Sequence, residues 1–269
     1  MTSPPNEPGG ARRFALVVGA SGGIGEALAR QYAARGYDLG LISRDAERLR
    51  RLAGGFPQGT VTFAADLADP RSAAAICRWV SEAGHEVQAL VNAAGYFSPV
   101  VFAETPWRDD ATFLQVMLAT PCELVRRFLP GMLSRGSGQI LNVASLIGLL
   151  PGVSSHSLYC ASKSFLIKFS QSVHLESRGA GVHVTALCPG LTDTDFFRRN
   201  GTRKRYQAAT PGWLWQTPEQ VAKAALAAVE ANRAVCVPGL ANKTIAGLSK
   251  LLPDGLALSL AAQVAPRFR

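Results

Sequence analysis

Tyr159 and Lys163 stand four residues apart, a spacing that places two side chains on one face of a helix. A phenol titrates near pH ~10 and is by itself a poor proton shuttle at neutral pH. A fixed positive charge beside it favours the tyrosinate and draws that value down, so the pair reads as a tuned acid/base. The spacing alone is common on helices. Its weight comes from Ser145 upstream and from a glycine-rich turn near the N-terminus.

That turn is Gly19-Ala20-Ser21-Gly22-Gly23-Ile24-Gly25, placed where an apolar run becomes a helical pattern. Gly19 permits a tight turn, and the bare backbone at Gly23 and Gly25 lets a pyrophosphate and the sheet approach. The helix N-terminus then presents free N–H groups and a positive dipole to the anion. A flexible turn is the plainer reading, but the strand before and the helix after favour a dinucleotide. The second strand ends in Ser43-Arg44. A carboxylate there would bind the ribose 2′-hydroxyl of NAD(H), whereas a hydroxyl and a guanidinium suit a 2′-phosphate, so NADP(H) is favoured over NAD(H). Asp66-Leu67 and Asn92-Ala93-Ala94-Gly95 end the third and fourth strands on the same edge, where ligands of open α/β sheets bind, although these residue types also suit plain turns.

Apolar strands are expected at 13–19, 37–43, 60–65, 88–92, 139–144, 182–187 and 234–237. Helices are expected at 24–35, 45–53 (capped by Asp45), 70–83, 107–134, 157–178 and 218–231. Continuously apolar strands alternating with helices imply a parallel sheet covered on both faces. With no repeat and no long linker, this is one α/β domain, doubly wound, spanning 11–269. The polar, Pro- and Gly-rich residues 1–10 lack the regions of a signal peptide and are expected to fray.

The chain has 269 residues, 48% hydrophobic, and a net charge of +9. Residues 196–269 hold eleven of the Lys/Arg and three of the Asp/Glu, so the basic character lies in the C-terminal third. No nucleic-acid motif accompanies it, and no nucleic-acid partner is expected. Five scattered cysteines without a C-x-x-C pair fit reduced thiols in a cytoplasm. The four histidines show no ligand spacing, and no metal is expected.

Taken in order, Gly19-x-x-x-Gly23-x-Gly25, Asp66, Asn92-Ala-Ala-Gly95, Ser145, Tyr159-x-x-x-Lys163 and Pro189-Gly190-x-x-x-Thr194 resemble the short-chain dehydrogenase/reductase family, from about Arg12 to Val237. The resemblance implies a Rossmann-type sheet of about seven strands and an NADP(H)-dependent ketoreductase or alcohol dehydrogenase. It makes Tyr159 the acid in carbonyl reduction and the base in alcohol oxidation. Lys163 holds the nicotinamide ribose, and Ser145 bonds the substrate oxygen, with Ser154 and Ser155 as weaker substitutes. Pro189, Gly190, Thr192 and Thr194 line the carboxamide pocket. Two departures stand out. Val18 replaces the usual Thr before the glycine turn, and Met117 occupies the helix position where relatives place a relay Asn. A thioether cannot donate. Pro121, however, four residues on, removes the helix hydrogen bond to the Met117 carbonyl, which could then hold the relay water.

Residues 194–216 are expected to form a lid over the substrate. Asp195-Phe-Phe-Arg-Arg-Asn-Gly-Thr-Arg-Lys-Arg205 and Trp213-Leu-Trp215 suit an apolar substrate with an anionic handle, such as a coenzyme A or carrier-protein thioester. A solvated basic face with core aromatics is an equal alternative. Residues 240–265 read as two short amphipathic helices that pack on a partner subunit of a homodimer or homotetramer. Contact with an anionic membrane surface is the less favoured reading. Two other classes of function remain: an NADP(H)-binding regulator or scaffold with impaired catalysis, and a non-redox dehydratase or isomerase on the same fold.

Overall fold

The computed structural model describes residues 13–97, 99–199 and 201–264. The frayed tail expected at 1–10 lies outside them, as do Asn200, Arg267 and Arg269. β1 (Phe14–Val18) is buried at every position. A strand with apolar groups on both sides must be covered on both faces, and the sheet around it is fully parallel. Its order is β3-β2-β1-β4-β5-β6-β7, with β2 Asp38–Ser43, β3 Val61–Ala64, β4 Val87–Asn92, β5 Gly138–Val143, β6 Val182–Leu187 and β7 Val235–Cys236. This is the doubly wound sheet expected from the sequence, with its last strand shorter than the pattern suggested.

Alternate residues of β1 feed opposite faces. Ala15 and Val17 pack with Leu28, Tyr32, Leu226 and Val229, from α1 (Gly23–Ala33) and α9 (Pro218–Glu230). Phe14, Leu16 and Val18 pack with Ile76, Leu124 and Val173, from α3 (Ser72–Glu82), α5 (Thr120–Arg135) and α6 (Ser157–Glu176). Full burial of one such side chain contributes roughly 1.5–3 kcal/mol, so both faces hold the sheet rigid beneath the site. α2 (Ala46–Ala53) begins as expected, with the Asp45 side chain accepting from the Arg48 N–H.

The sheet reverses direction at β1, which pairs with β2 on one side and β4 on the other. Val18 is level with Ile42 and with Asn92. The strand ends that carry Gly19, Ser43 and Ala93 therefore meet at one crevice, the place where open α/β sheets bind ligands.

The helix expected at 107–134 is interrupted. α4 (Trp107–Leu114) passes through a π-turn at Gln115–Ala119 into α5, and the Thr120 N–H bonds the Gln115 carbonyl. Pro121 has no N–H to offer, and the widened turn is the local solution to its missing donor. Beyond β6, the segment expected to form a lid, 194–216, contains α7 (Asp195–Arg199), α8 (Arg203–Ala209) and a 3₁₀ turn at Gly212–Leu214. α10 (Leu240–Leu251) and α11 (Asp254–Val264) end the described chain, broken at Pro253 as the sequence indicated. Among the described residues no helix is long and apolar enough to cross a membrane.

Candidate active site

One cavity of about 1150 Å³ runs along the carboxyl ends of the strands. At one end lies the glycine turn. A Cβ at Gly25 would collide with the Gly19 carbonyl, so only glycine lets α1 start this close to β1. The cradle and the free N–H groups of the α1 N-terminus fit a pyrophosphate. Ser21, Gly22, Gly23, Ile24, Ser43 and Arg44 all line this end, with Asp66 and Leu67 along one side and Ala93, Ala94 and Gly95 along the floor. A second guanidinium, Arg48, lines the same end. It sits where a Cβ on Gly22 would come within 2.8 Å of its Nη2.

The catalytic candidates converge at the middle of the cavity. Ser145 ends β5 and caps the 3₁₀ turn at Leu146–Leu149, its Oγ accepting from the Ile147 N–H at 3.3 Å. Across the turn the Ser145 hydroxyl faces the Tyr159 phenol on α6 closely enough to favour its ionised form. Gly148 sets this approach. A Cβ there would lie 2.6 Å from the Lys163 carbonyl carbon, and the Ser164 hydroxyl donates to the Gly148 carbonyl at 2.8 Å. The turn is also tied to the opposite loop, since the Leu146 N–H donates to the Pro189 carbonyl at 2.8 Å.

Electrostatics here depart from the expectation drawn from spacing. Burial pushes Tyr159 above its ordinary value, and the Ser145 hydroxyl is what opposes that rise. Lys163 is buried and its pKa falls to about 8, chiefly through desolvation. Its Nζ donates to the Val143 carbonyl at 2.8 Å and stands 5.7 Å from the Tyr159 ring centroid. The two side chains do share a helical face. The ammonium, however, is hydrogen-bonded to the strand end, and burial, opposed by Ser145, governs Tyr159.

Met117 does not line the cavity. Its thioether packs beside Gly95 and Lys163: a Cβ on Gly95 would lie 3.4 Å from Sδ and 3.7 Å from the Lys163 Nζ. Asn92 is also set back from the cavity. Its amide donates to Asn142 at 2.8 Å, and Asn142 donates to Ser170 at 2.9 Å. This buried chain clamps β4 and β5 to α6, so the Asn92 side chain acts on the scaffold, while the backbone after it forms the floor. Pro189, Gly190, Thr192 and Thr194 line the cavity, and the Thr194 hydroxyl accepts from the Phe196 N–H at 3.3 Å.

The far end is aromatic and aliphatic. Phe97 lies 5.4 Å from Tyr159, 5.4 Å from His156 and 5.0 Å from Phe196, centroid to centroid. His156 Nδ1 faces the Ser154 carbonyl at 3.1 Å and Nε2 faces the Tyr206 hydroxyl at 2.9 Å. A carbonyl only accepts, so Nδ1 carries the proton and Nε2 of the neutral ring takes the Tyr206 proton. Burial holds His156 below its ordinary pKa, consistent with the neutral form. None of the lid's described basic side chains lines the cavity. Arg203 pairs with Asp193 at 2.8 Å and Arg198 with Asp195 at 3.3 Å, so none of the described basic residues of 194–216 offers the anionic handle a cation inside the cavity.

Arg48, Gly148, His156 and Tyr206 were not identified from the sequence. Arg48 stands among Arg50 and Arg51 on one helix, with no spacing that marks it out. Gly148 carried no motif. His156 and Tyr206 are fifty residues apart and are brought together only by the tertiary fold.

A family model described as short chain dehydrogenase matches residues 13–205. The chain is 33% identical over 224 residues to a very-long-chain 3-oxoacyl-CoA reductase of Anas platyrhynchos, covering 80% of this chain and 68% of that protein. It is 32% identical over 241 residues to nodulation protein G of Rhizobium sp. (strain N33), covering 89% and 98%. Among solved structures, a short-chain dehydrogenase from Sphingobium yanoikuyae in complex with NADPH superposes with a TM-score of 0.77 at 28% identity, covering 92% of this chain and 94% of that one. With the family model spanning most of the sequence and the sheet topology agreeing with it, the chain belongs to the short-chain dehydrogenase family of oxidoreductases.

Proposed function

We propose that this chain is an NADPH-dependent ketoreductase, interconverting a carbonyl and an alcohol on an apolar substrate that a thioester can carry. The observation that carries the reading is the meeting of Ser145, Tyr159 and Lys163 in the cavity that also holds the glycine turn. A bound nicotinamide supplies the hydride. Ser145 holds the carbonyl oxygen, and Tyr159, kept protonated by its burial, is the acid that delivers a proton to it. Lys163, tied to Val143, holds the ribose and passes a proton toward Tyr159. The Met117 carbonyl, deprived of an N–H by Pro121, positions the water behind Lys163. Support for NADPH over NADH comes from the two guanidinium groups, Arg44 and Arg48, at the nucleotide end and from the NADPH complex of a similar protein. Residues 11–269 are read as one domain working as a cytoplasmic homodimer or homotetramer.

Consumption of NADPH with a panel of ketones and acyl thioesters, repeated with Tyr159→Phe, tests the reading. Substrate-dependent oxidation that falls by about 10²–10⁴ in the variant is expected. The rival reading, a cofactor-binding regulator, takes its support from Met117 beside Lys163. It predicts NADPH binding with no oxidation for any substrate.

A further inference from the structure

The C-terminal helices continue the cavity. Ile245, Leu248 and Leu252 line it, as do Ala257, Leu260 and Ala261. The first three are spaced i, i+3, i+7 and the last three i, i+3, i+4, the spacings of a single helical face. α10 and the residue after it, together with α11, thus turn one apolar stripe each toward the chamber that begins at Ser145 and Tyr159. Neither Lys243 nor Lys250 lines it. α10 is fixed to the catalytic end by Asn242, which is 4% exposed. Its amide donates to Gln216 at 3.0 Å and to the Pro238 carbonyl at 2.8 Å, and a Cβ on Gly190 would come within 2.5 Å of it. The stripe is therefore registered against the Pro189–Gly190 loop.

We infer that α10 and α11 form the seat of an extended alkyl or acyl tail, and that Leu252 and Leu260 set the chain length the enzyme prefers. This rests on the carbonyl-reduction reading and adds the substrate class. Two observations select a tail over a second protein as the occupant. The stripe is continuous with the reaction chamber. The stripe ends at the surface with Leu248 at 59% and Leu260 at 44% exposure, an open mouth through which a longer chain can extend.

The test is kcat/KM with NADPH for methyl ketones from butanone to methyl pentadecyl ketone. Wild-type values should climb, by up to roughly fourfold per methylene while the tail is still entering the seat. Leu252→Trp and Leu260→Trp should remove at least tenfold of the long-chain value and leave butanone turnover unchanged. A flat wild-type profile, or variants that slow short and long ketones alike, overturns the inference while leaving the carbonyl-reduction reading in place. If no ketone oxidises NADPH, the catalytic reading fails, and displacement of a fluorescent long-chain acyl probe by the same ketones still decides the tail seat. Displacement that strengthens with chain length and is lost in Leu252→Trp supports it, and absence of probe binding overturns it. Gel filtration and sedimentation with anionic vesicles complete the test. Loss of self-association or of vesicle binding in the two variants, with an unaltered chain-length profile, would assign the stripe to a second copy or to a lipid surface instead.

Discussion

Arg48 Nη2 lies 3.2 Å from the Asp195 carboxylate, so the helix that follows the second strand grips the first turn of the lid directly over the phosphate-binding turn. Both side chains are more than a third exposed, and an ion pair of that kind is worth at most about 1 kcal/mol. Its consequence therefore lies in binding. Arg48 has two claims on it, the lid carboxylate and an anion in the glycine turn. Arg48→Ala should raise the Kd for NADPH several-fold, whereas Asp195→Asn should leave it equal or lower, with the thermal midpoint moving little in either. Fluorescence titration of the bound nicotinamide checks both signs. Weaker binding in Asp195→Asn would show that the pair supports the cofactor site through the lid.

Arg44 stands at the end of β2 and lines the nucleotide end of the cavity. A charge-assisted hydrogen bond is worth about 1.5–3 kcal/mol. Arg44→Ala should therefore weaken NADPH by roughly 10–100-fold and leave NADH nearly unchanged. Equal losses for both cofactors would remove the 2′-phosphate from the account.

How much of this site could be read from the sequence depends on what each residue responds to. The glycine turn, Ser145, Tyr159 and Lys163 are local signatures on well-patterned elements, and the strand register then brings them together. Asn92 was named with the cofactor because it ends β4, which says nothing of where its side chain goes. That side chain donates to Asn142, 50 positions away, which in turn donates to Ser170, and no local pattern reaches that far. Residues 240–265 were expected to form two short amphipathic helices, and the described part holds α10 and α11, but the amphipathic pattern only said that one face is apolar. It could not say that the face looks into the same chamber as Tyr159. The Tyr159–Lys163 spacing fixed a shared face without fixing where the ammonium points, which depends on the Val143 carbonyl.

Gly148 carries a prediction the motifs would not suggest. An added methyl would meet the Lys163 backbone at 2.6 Å and the Ser164 nitrogen at 2.8 Å, so the 3₁₀ turn must move off α6. Overpacking of this kind costs about 1–3 kcal/mol. Gly148→Ala should lower kcat far more than it weakens NADPH, because it separates Ser145 from Tyr159 and leaves the glycine turn untouched. Loss of cofactor affinity in step with kcat would place the damage in the whole fold.

Met117 and Pro121 can be separated by substitution. If the Met117 carbonyl and not its thioether serves the relay, Met117→Asn should change kcat by less than about twofold, within the range of a small perturbation. Pro121→Ala restores an N–H that competes for that carbonyl and closes the π-turn, so it should slow turnover. Solvent isotope effects on kcat add a readout that misfolding does not mimic. A large gain from Met117→Asn with no effect of Pro121→Ala would return the role to the side chain.

Lys163 gives the chain a pH signature. Its ammonium is desolvated, with a pKa near 8 in the fold against an ordinary value of 10.5. The unfolded chain holds this proton more tightly, so unfolding takes up protons between those values and stability from this group rises with pH across that window. Below about pH 8 the full cost of burying the charge is present, and above about 10.5 it is gone. Lys163→Met removes the cost but orphans the Val143 carbonyl, which now accepts from Nζ at 2.8 Å. The net gain at pH 7 should be on the order of 1–2 kcal/mol, accompanied by loss of turnover. Urea denaturation of both proteins from pH 7 to 10.5 should show the gap closing above about pH 8 and then reversing in favour of the wild type, which regains on the order of 3 kcal/mol across the window. A gap that stays constant with pH would mean that the ammonium is solvated in the fold and that its charge is not the strained element of the site.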